Sequence, residues 1–358
     1  MRILIQHPHR PFSHVPGASC LVPHTCWKLI AYPARLVFEN LSDGQLVDLC
    51  LDIQGPVKDF TVQQNLEKGN VVIFGMSKKG FFRLAVRQDS KGVSLQFEKL
   101  PGQQLKISHG IDSFVAGEKQ QFSIGSALIP TSMQSSEKIF LGCSKEQDFD
   151  MIRRRCDLSE ILPLWMRLGQ LTPLSSCSQE PSGVFSLLDS CKTKIVSKQK
   201  NEITPILKEV FLAGFHGILC PRSSDDDHQG IICQTSSSGQ SPLYLLSEGA
   251  RLIRSLFFQE SSHALSFIPC LPSEFVCGRF VSIKTASADL IDFIWSKKTM
   301  KMIKIQPGVS RCVLLEFPAD IARFRLRKSL LDKGLFLNVG DEVHLQENQV
   351  VFIDRFEK

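Results

Sequence analysis

The feature that most constrains this chain is a change in the spacing of its apolar residues along the sequence. From Leu29 to about Ile129, short apolar runs alternate with Gly, Asp, Asn and Lys turn signals, as in antiparallel strands joined by short loops. Near residue 145 the apolar residues take a helical spacing, and from about Leu265 they return to a spacing of two. The pattern predicts an α+β chain with two β-sandwich-like domains flanking a short helical region.

The same pattern divides the chain, whose 358 residues exceed one average domain. We expect an N-terminal β-sandwich-like domain (1–140), a helical region (141–262) and a C-terminal β-domain (263–358). Ser241 is the expected N-cap of the last helix, with Pro242 at its first position. The predicted helices are Lys145–Arg155, Leu158–Leu168, Val184–Cys191, Ile203–Ala213 and Pro242–Gln259.

Composition narrows the classes of partner and the cellular location. The net charge of +6 is spread thinly along the chain, whereas a nucleic-acid binder concentrates its basic excess, so no nucleic-acid partner is expected. No apolar run approaches the 18 residues of a membrane span, and His7 and Arg10 interrupt the start before a signal-peptide core forms. Twelve cysteines without a C-x-x-C pair favour reduced thiols. A cytoplasmic protein with no membrane contact is therefore predicted.

One segment carries a resemblance to a known family. Its features are the run Leu265–Phe275, the sequence Gly278-Arg279-Phe280 and the strand Leu290–Trp295, which follow the helix Ser241–Gln259. This segment, residues 241–305, resembles the barrel exit and C-terminal β-domain of (α/α)6-barrel glycoside hydrolases, the α-L-fucosidase-like enzymes especially. The chain as a whole also resembles a bacterial, chlamydial protein family, a resemblance from which no particular activity follows.

The resemblance implies a β-domain before and after a helical barrel, but it transfers no catalytic residue. The family's catalytic carboxylates lie inside the barrel, upstream of the matching segment. Only about 115 residues separate the two β-regions here, far fewer than six helical hairpins need. A truncated or replaced barrel is therefore expected.

Acidic side chains are the candidate catalytic groups, because glycosidic cleavage uses two carboxyls on either side of the bond. Asp225, Asp226 and Asp227 are consecutive in a polar loop, and Glu248 and Glu274 are the acids that could join them. Consecutive residues point in different directions, so a solvated loop is the alternative for the aspartates, and surface roles for the glutamates. Asp148, at the entry to the helical region, is a further acid with capping as its alternative.

Two other groups of side chains have both a functional and a structural interpretation. The N-terminal histidines and cysteines could bind zinc, but their spacing is unlike the usual ligand pairs, and ordinary loop residues are the simpler interpretation. Arg323, Arg325 and Arg327 alternate with apolar residues, which predicts three cations on one strand face, either for an acidic partner or for solubility. The triplet Arg153–Arg155 could likewise hold a phosphate or form salt bridges on a helix. No metal is predicted.

Function remains open between three hypotheses. The first is a protein related to carbohydrate-active enzymes, either a degenerate glycosidase-like scaffold or a sugar-binding protein. The second is a protein-interaction or structural module without enzymatic activity, and the third is an active glycoside hydrolase with a reduced helical domain. A carbohydrate or a protein is thus the expected partner, and the oligomeric state is not predicted. No G-x-G-x-x-G sequence or P-loop occurs in a suitable setting, so no cofactor is expected.

Overall fold

The computed structural model describes residues 3–90, 92–102, 104–126, 136–175, 182–225, 241–329 and 331–358. These residues form 25 strands in five sheets and five α-helices. Strands account for 42% of the described residues and helices for 20%, which confirms a mainly β, α+β protein. The predicted domain boundaries remain a prediction.

Two six-stranded antiparallel sheets contain the strands of the first 126 residues. The first sheet has the order β1 (Phe12–Ser13), β6 (Lys58–Asn65), β7 (Asn70–Ser77), β8 (Gly80–Asp89), β9 (Gly92–Lys99) and β12 (Gln121–Gly125). The second has the order β11 (Asp112–Ala116), β10 (Leu105–His109), β5 (Leu46–Leu51), β4 (Arg35–Asn40), β3 (Trp27–Tyr32) and β2 (Ala18–Leu21). Buried apolar residues of both sheets belong to a hydrophobic cluster that also includes residues of the helices and of the C-terminal strands.

Three further sheets contain the remaining strands. A seven-stranded sheet has the order β13 (Lys138–Phe140), β18 (Gly278–Lys284), β19 (Leu290–Ser296), β20 (Thr299–Gln306), β25 (Val351–Glu357), β22 (Arg323–Arg327) and β23 (Leu335–Asn338). A four-stranded sheet has the order β16 (Phe258–Glu260), β17 (Ala264–Phe267), β21 (Arg311–Glu316) and β24 (Glu342–Leu345). β14 (Phe215–His216) and β15 (Cys220–Pro221) pair separately.

The five helices of the described residues all fall within residues 141–262, the part of the sequence predicted to be helical. They are α1 (Phe149–Arg155), α2 (Leu158–Gln170), α3 (Val184–Val196), α4 (Lys200–Gly214) and α5 (Leu243–Phe257). α1 begins four residues later than predicted because the Asp148 carboxylate accepts hydrogen bonds from the first-turn amides of Asp150 and Met151. Asp148 therefore caps a helix.

The limits of α5 differ from the prediction at both ends. Pro242, rather than Ser241, is the N-cap residue. The helix also ends at Phe257 instead of Gln259, because Phe258 already lies in β16, directly opposite Phe267 of β17. The two rings contact each other edge-on with centroids 5.6 Å apart. Tertiary packing of an aromatic residue therefore overrides the helical pattern at this position.

Helices α2 and α5 pack closely because each has a glycine at the crossing. A Cβ on Gly169 of α2 would lie 2.2 Å from the carbonyl oxygen of Leu246, and one on Gly249 of α5 would lie 2.5 Å from the indole nitrogen of Trp165. That indole donates a hydrogen bond of 3.0 Å to the carbonyl oxygen of Leu245. The contact therefore leaves no room for a side chain at either glycine.

We expect Gly169→Ala to destabilise the protein by about 2 kcal/mol, because the new methyl group must push α5 away from α2. Urea unfolding followed by circular dichroism measures this change in the free energy of unfolding. Gly117→Ala is the matched control, since a Cβ there would meet its nearest neighbour at an ordinary 3.6 Å. Equal stability of the two variants would contradict the close crossing.

No helix within the described ranges has both the length and the apolar character required to cross a bilayer.

Candidate functional site

The aspartate cluster of the polar loop is only partly within the described residues. Asp225 has a nearly buried carboxylate that accepts a hydrogen bond of 2.8 Å from Arg222. Arg222 also donates to the carbonyl oxygens of Leu212 and Ala213 at the end of α4, so it satisfies the last carbonyls of that helix. Asp225 therefore contributes to a structural ion pair. Asp226 and Asp227 lie outside the described residues.

The two glutamates named from the sequence, Glu248 and Glu274, have different polar contacts from each other. Glu248 on α5 contacts Arg251, at 3.3 Å, and Lys192 of α3, at 3.9 Å. Glu274 is exposed in the loop before β18 and accepts a hydrogen bond of 3.3 Å from Ser273. None of these acids lines the large groove described below. These contacts are those of surface and structural residues.

The N-terminal histidines and cysteines do not form a metal site. Within the described ranges, no three His, Cys, Asp or Glu side chains lie close enough together to hold a metal ion. His14 instead contacts Thr61, with its Nδ1 atom 2.9 Å from the hydroxyl oxygen. His9 and Cys20 are buried in the protein.

The predicted arginine stripe on β22 has acidic partners on the neighbouring strand β25. Asp354 accepts hydrogen bonds from both Arg325 and Arg327, and Glu357 pairs with Arg323. Asp354 has a lowered pKa: burial opposes the shift, and the two guanidinium groups outweigh it. The stripe is thus largely neutralised within its own sheet. In the helical region, Arg155 similarly pairs with Glu160, and Arg153 donates to the carbonyl oxygen of Phe215.

The most prominent candidate site is a groove of about 790 Å³ beside the C-terminal end of α5, which we call the α5 groove. It is bounded by α5, by β16 and by the end of β18, and Glu137 completes it from a distant part of the sequence. Its volume falls within the range of small-molecule sites. The other lining residues among those described belong to the segment 241–305, for which the sequence analysis predicts a relation to glycoside hydrolases.

Arg254 is the central residue of the α5 groove. Its Nε atom donates to both carboxylate oxygens of Glu137, at 3.0 and 3.2 Å, and its Nη2 atom donates to the carbonyl oxygen of Lys284 at 3.0 Å. Nη2 also lies 3.5 Å from the carboxylate of Glu260. The guanidinium group is stacked over the ring of Phe258, 5.1 Å from its centroid. One cation therefore holds two carboxylates in place.

The two carboxylates receive further hydrogen bonds from the backbone. The amide of Lys284 donates to Glu137 at 3.1 Å, and the amide of Ala286 donates to Glu260 at 2.9 Å. Glu137 is 5% exposed, and burial raises its pKa although Arg254 opposes the shift. Glu260 remains exposed to solvent. The groove thus contains one buried and one accessible carboxylate, both with their orientation fixed.

The accessible side chains of the groove are those that can bind polar groups. Arg251, Gln259 and Lys284 are exposed at its rim, beside Glu260. Together they offer cationic donors, an amide that both donates and accepts, and a carboxylate that accepts. Such a set can bind neighbouring hydroxyl groups of one ligand.

Sequence reasoning did not identify this site. Glu137 lies 117 positions before Arg254, and its other partner, the amide of Lys284, is 147 positions away. No local spacing connects residues so far apart. The sequence indicates the groove only indirectly, because Glu260 and Lys284 lie within the segment 241–305, for which a relation to glycoside hydrolases is predicted.

Comparison with protein-family models and with curated proteins finds no match for this chain. The resemblance of residues 241–305 therefore remains a prediction. Function must be argued from the geometry of the site itself.

Proposed function

We propose that this protein binds carbohydrate in the α5 groove and does not cleave it. The observation that carries the proposal is the pairing of both groove carboxylates with Arg254. A general acid must deliver its proton to the glycosidic oxygen, but both oxygens of Glu137 accept hydrogen bonds within the protein. The same network suits recognition, because it fixes the carboxylate of Glu260 beside the exposed polar side chains of the rim.

Carbohydrate is the ligand class that these side chains favour. Sugars offer adjacent hydroxyl groups that act as donors and acceptors, which Gln259 and Glu260 can complement while Arg251 and Lys284 donate. Tryptophan stacking has no part in this mode, since all three tryptophans are buried. We therefore infer recognition by hydrogen bonds.

The proposal includes the finer arrangement predicted from the sequence. We infer that the two six-stranded sheets face each other as a sandwich, because buried residues alternate with more exposed ones along β4 and β5 and both sheets contribute to one hydrophobic cluster. The seven-stranded and four-stranded sheets would form the second such layer pair. A sugar-binding protein of this kind would be a degenerate relative of the glycoside hydrolases with a reduced helical region.

A glycan array of neutral and acidic oligosaccharides, probed with the full chain, tests this function. We expect binding of at least one glycan, and about tenfold weaker binding by Gln259→Ala and by Lys284→Ala in titration calorimetry, since each removes a hydrogen bond made on binding. Lys301→Ala is the matched control, because Lys301 is an exposed lysine outside the groove.

Two outcomes would overturn the proposal in different directions. Turnover of chromogenic glycosides that is lost in Glu137→Gln would favour the active hydrolase instead. No binding to any glycan would favour the interaction module, for which the exposed side chains of Leu331, Leu335 and Phe336 around β23 offer an apolar surface.

A further inference from the structure

Three cysteines in the described part of the chain are exposed, namely Cys50, Cys277 and Cys312. Cys312 differs from the other two in its surroundings. Its sulfur lies 3.3 Å from the Nδ1 atom of His344, and both side chains are exposed. We propose that Cys312 and His344 form a reactive thiol–imidazole pair, a modification site that takes up small disulfides.

The fold places these two residues together. Cys312 on β21 and His344 on β24 are directly opposite each other in an antiparallel pair. Their strand neighbours Val313, Val343 and Leu345 are buried, so the alternation of the strands directs Cys312 and His344 to the opposite, outer face. β24 is the edge strand of its sheet, which leaves the pair open to solvent from that side.

The geometry is that of a nucleophile with its base. A thiolate is the form of cysteine that attacks other sulfur atoms, and an imidazole within hydrogen-bond distance can accept the thiol proton. For the thiol of Cys312 to donate, Nδ1 of His344 must be the unprotonated ring nitrogen. The thiols of Cys50 and Cys277 have no histidine within hydrogen-bond distance among the described residues. Only Cys312 of the three therefore has this assistance.

The reaction that follows is thiol–disulfide exchange with a small disulfide as the oxidant. The thiol of Cys312 gives its proton to His344, and the resulting thiolate attacks one sulfur of the disulfide. The bond to Cys312 forms as the original sulfur–sulfur bond breaks. The leaving thiolate is thereby reduced and takes the proton from the imidazolium, so that the products are a mixed disulfide on Cys312 and one free thiol.

The test compares the exposed cysteines within the same full-length chain. The reduced protein is treated at neutral pH with bis(2-hydroxyethyl) disulfide, a neutral probe that surface charges do not attract. Peptide mass spectrometry then follows the mixed disulfide at each cysteine over time. We expect Cys312 to react about tenfold faster than Cys50 and Cys277, because only its thiolate forms with the help of a base.

Variants attribute the difference to His344. His344→Gln should slow Cys312 about tenfold while the rates at Cys50 and Cys277 stay unchanged, which also shows that the fold is intact. Glu342→Gln, an exposed residue on the same strand, is the matched control and should leave the rate at Cys312 unchanged. Equal rates at all three cysteines in the unmodified chain, or full reactivity of Cys312 in His344→Gln, would overturn the proposal.

Discussion

Trp295→Ala is expected to destabilise the protein by about 4 kcal/mol, the largest effect that we predict for a single substitution. The indole is 1% exposed and donates a hydrogen bond of 3.1 Å to the carbonyl oxygen of Phe275. It stacks on Phe257, the last residue of α5, with ring centroids 5.5 Å apart. Its removal leaves a large cavity where the helix meets the seven-stranded sheet. Urea unfolding measures the free energy, and Leu335→Ala, at a 71% exposed residue, serves as the control.

The opposing glycine gives a second test of the same contact. Gly278 is directly opposite Trp295, and a Cβ on it would lie 2.2 Å from the indole ring and 2.6 Å from the carbonyl oxygen of Phe140. We expect Gly278→Ala to cost less in the Trp295→Ala background than in the unmodified chain, by about 1 kcal/mol. Strict additivity of the two substitutions would show that the ring does not require the glycine.

The strands and helices were predictable because each depends on a local period. The strand Leu290–Trp295 named from the sequence corresponds to β19, Leu290–Ser296, and the predicted helix Ile203–Ala213 lies within α4. The wrong start of the first predicted helix has a local cause, the cap Asp148, whereas the wrong end of the last one is caused by a tertiary contact. Because Phe258 packs on Phe267 in the neighbouring strand, α5 ends two residues before its predicted limit.

The partners of charged residues could not be predicted in the same way. The alternation at Arg323, Arg325 and Arg327 predicts three cations on one face of the strand. Their acidic partners lie on one neighbouring strand, β25. Nothing in the local pattern shows that Asp354, 27 and 29 positions away, neutralises two of them. Pairing between strands depends on the whole topology.

The candidate site includes both a local element that the sequence predicts, helix α5, and charged partners that the local sequence does not predict. Apart from Glu137, the residues that line the α5 groove lie within the segment 241–305, and Arg254 is the one on α5 that holds both carboxylates. Glu248 and Glu274, the acids that the sequence positions favour, make their contacts outside the α5 groove. Glu137 and Glu260, which bind Arg254, occupy no motif. The hypothesis of sugar binding therefore depends on geometry that only the structure provides.

The second large effect is expected with acid. His9 is 3% exposed, and burial lowers its pKa to about 4, an effect that the nearby cations Lys138 and Arg167 reinforce and Glu67 opposes. Its backbone connects the N-terminal segment to the first sheet, through a hydrogen bond of 3.0 Å from its amide to Glu67 and one of 3.0 Å from the amide of Leu66 to its carbonyl oxygen. Its Nδ1 atom has no hydrogen-bond partner in the described structure. Protonation in place would bury an uncompensated charge.

The sign of the pH dependence follows from the two protonation states. The unfolded chain binds a proton at His9 below about pH 6.5, whereas the folded protein does so only near pH 4, so acid favours the unfolded chain between these values. The contribution of His9 to the free energy of unfolding is fully present above about pH 6.5, and it falls by about 3 kcal/mol as the pH drops to 4. Urea unfolding at a series of pH values measures the loss.

The variant His9→Gln distinguishes the effect of protonating His9 from that of protonating the carboxylates, which also take up protons at the acid end of the range. The variant cannot take up a proton at this position, so we expect the difference in unfolding free energy between the unmodified protein and His9→Gln to shift by about 3 kcal/mol from pH 7 to pH 4, in favour of the variant at the lower pH. His263→Gln, at an exposed histidine, should leave the profile of the unmodified protein unchanged. A parallel profile for His9→Gln would mean that the imidazole takes up its proton at the same pH in the folded and in the unfolded chain. The N-terminal segment would then hold its place by its backbone hydrogen bonds, without any need for a neutral ring.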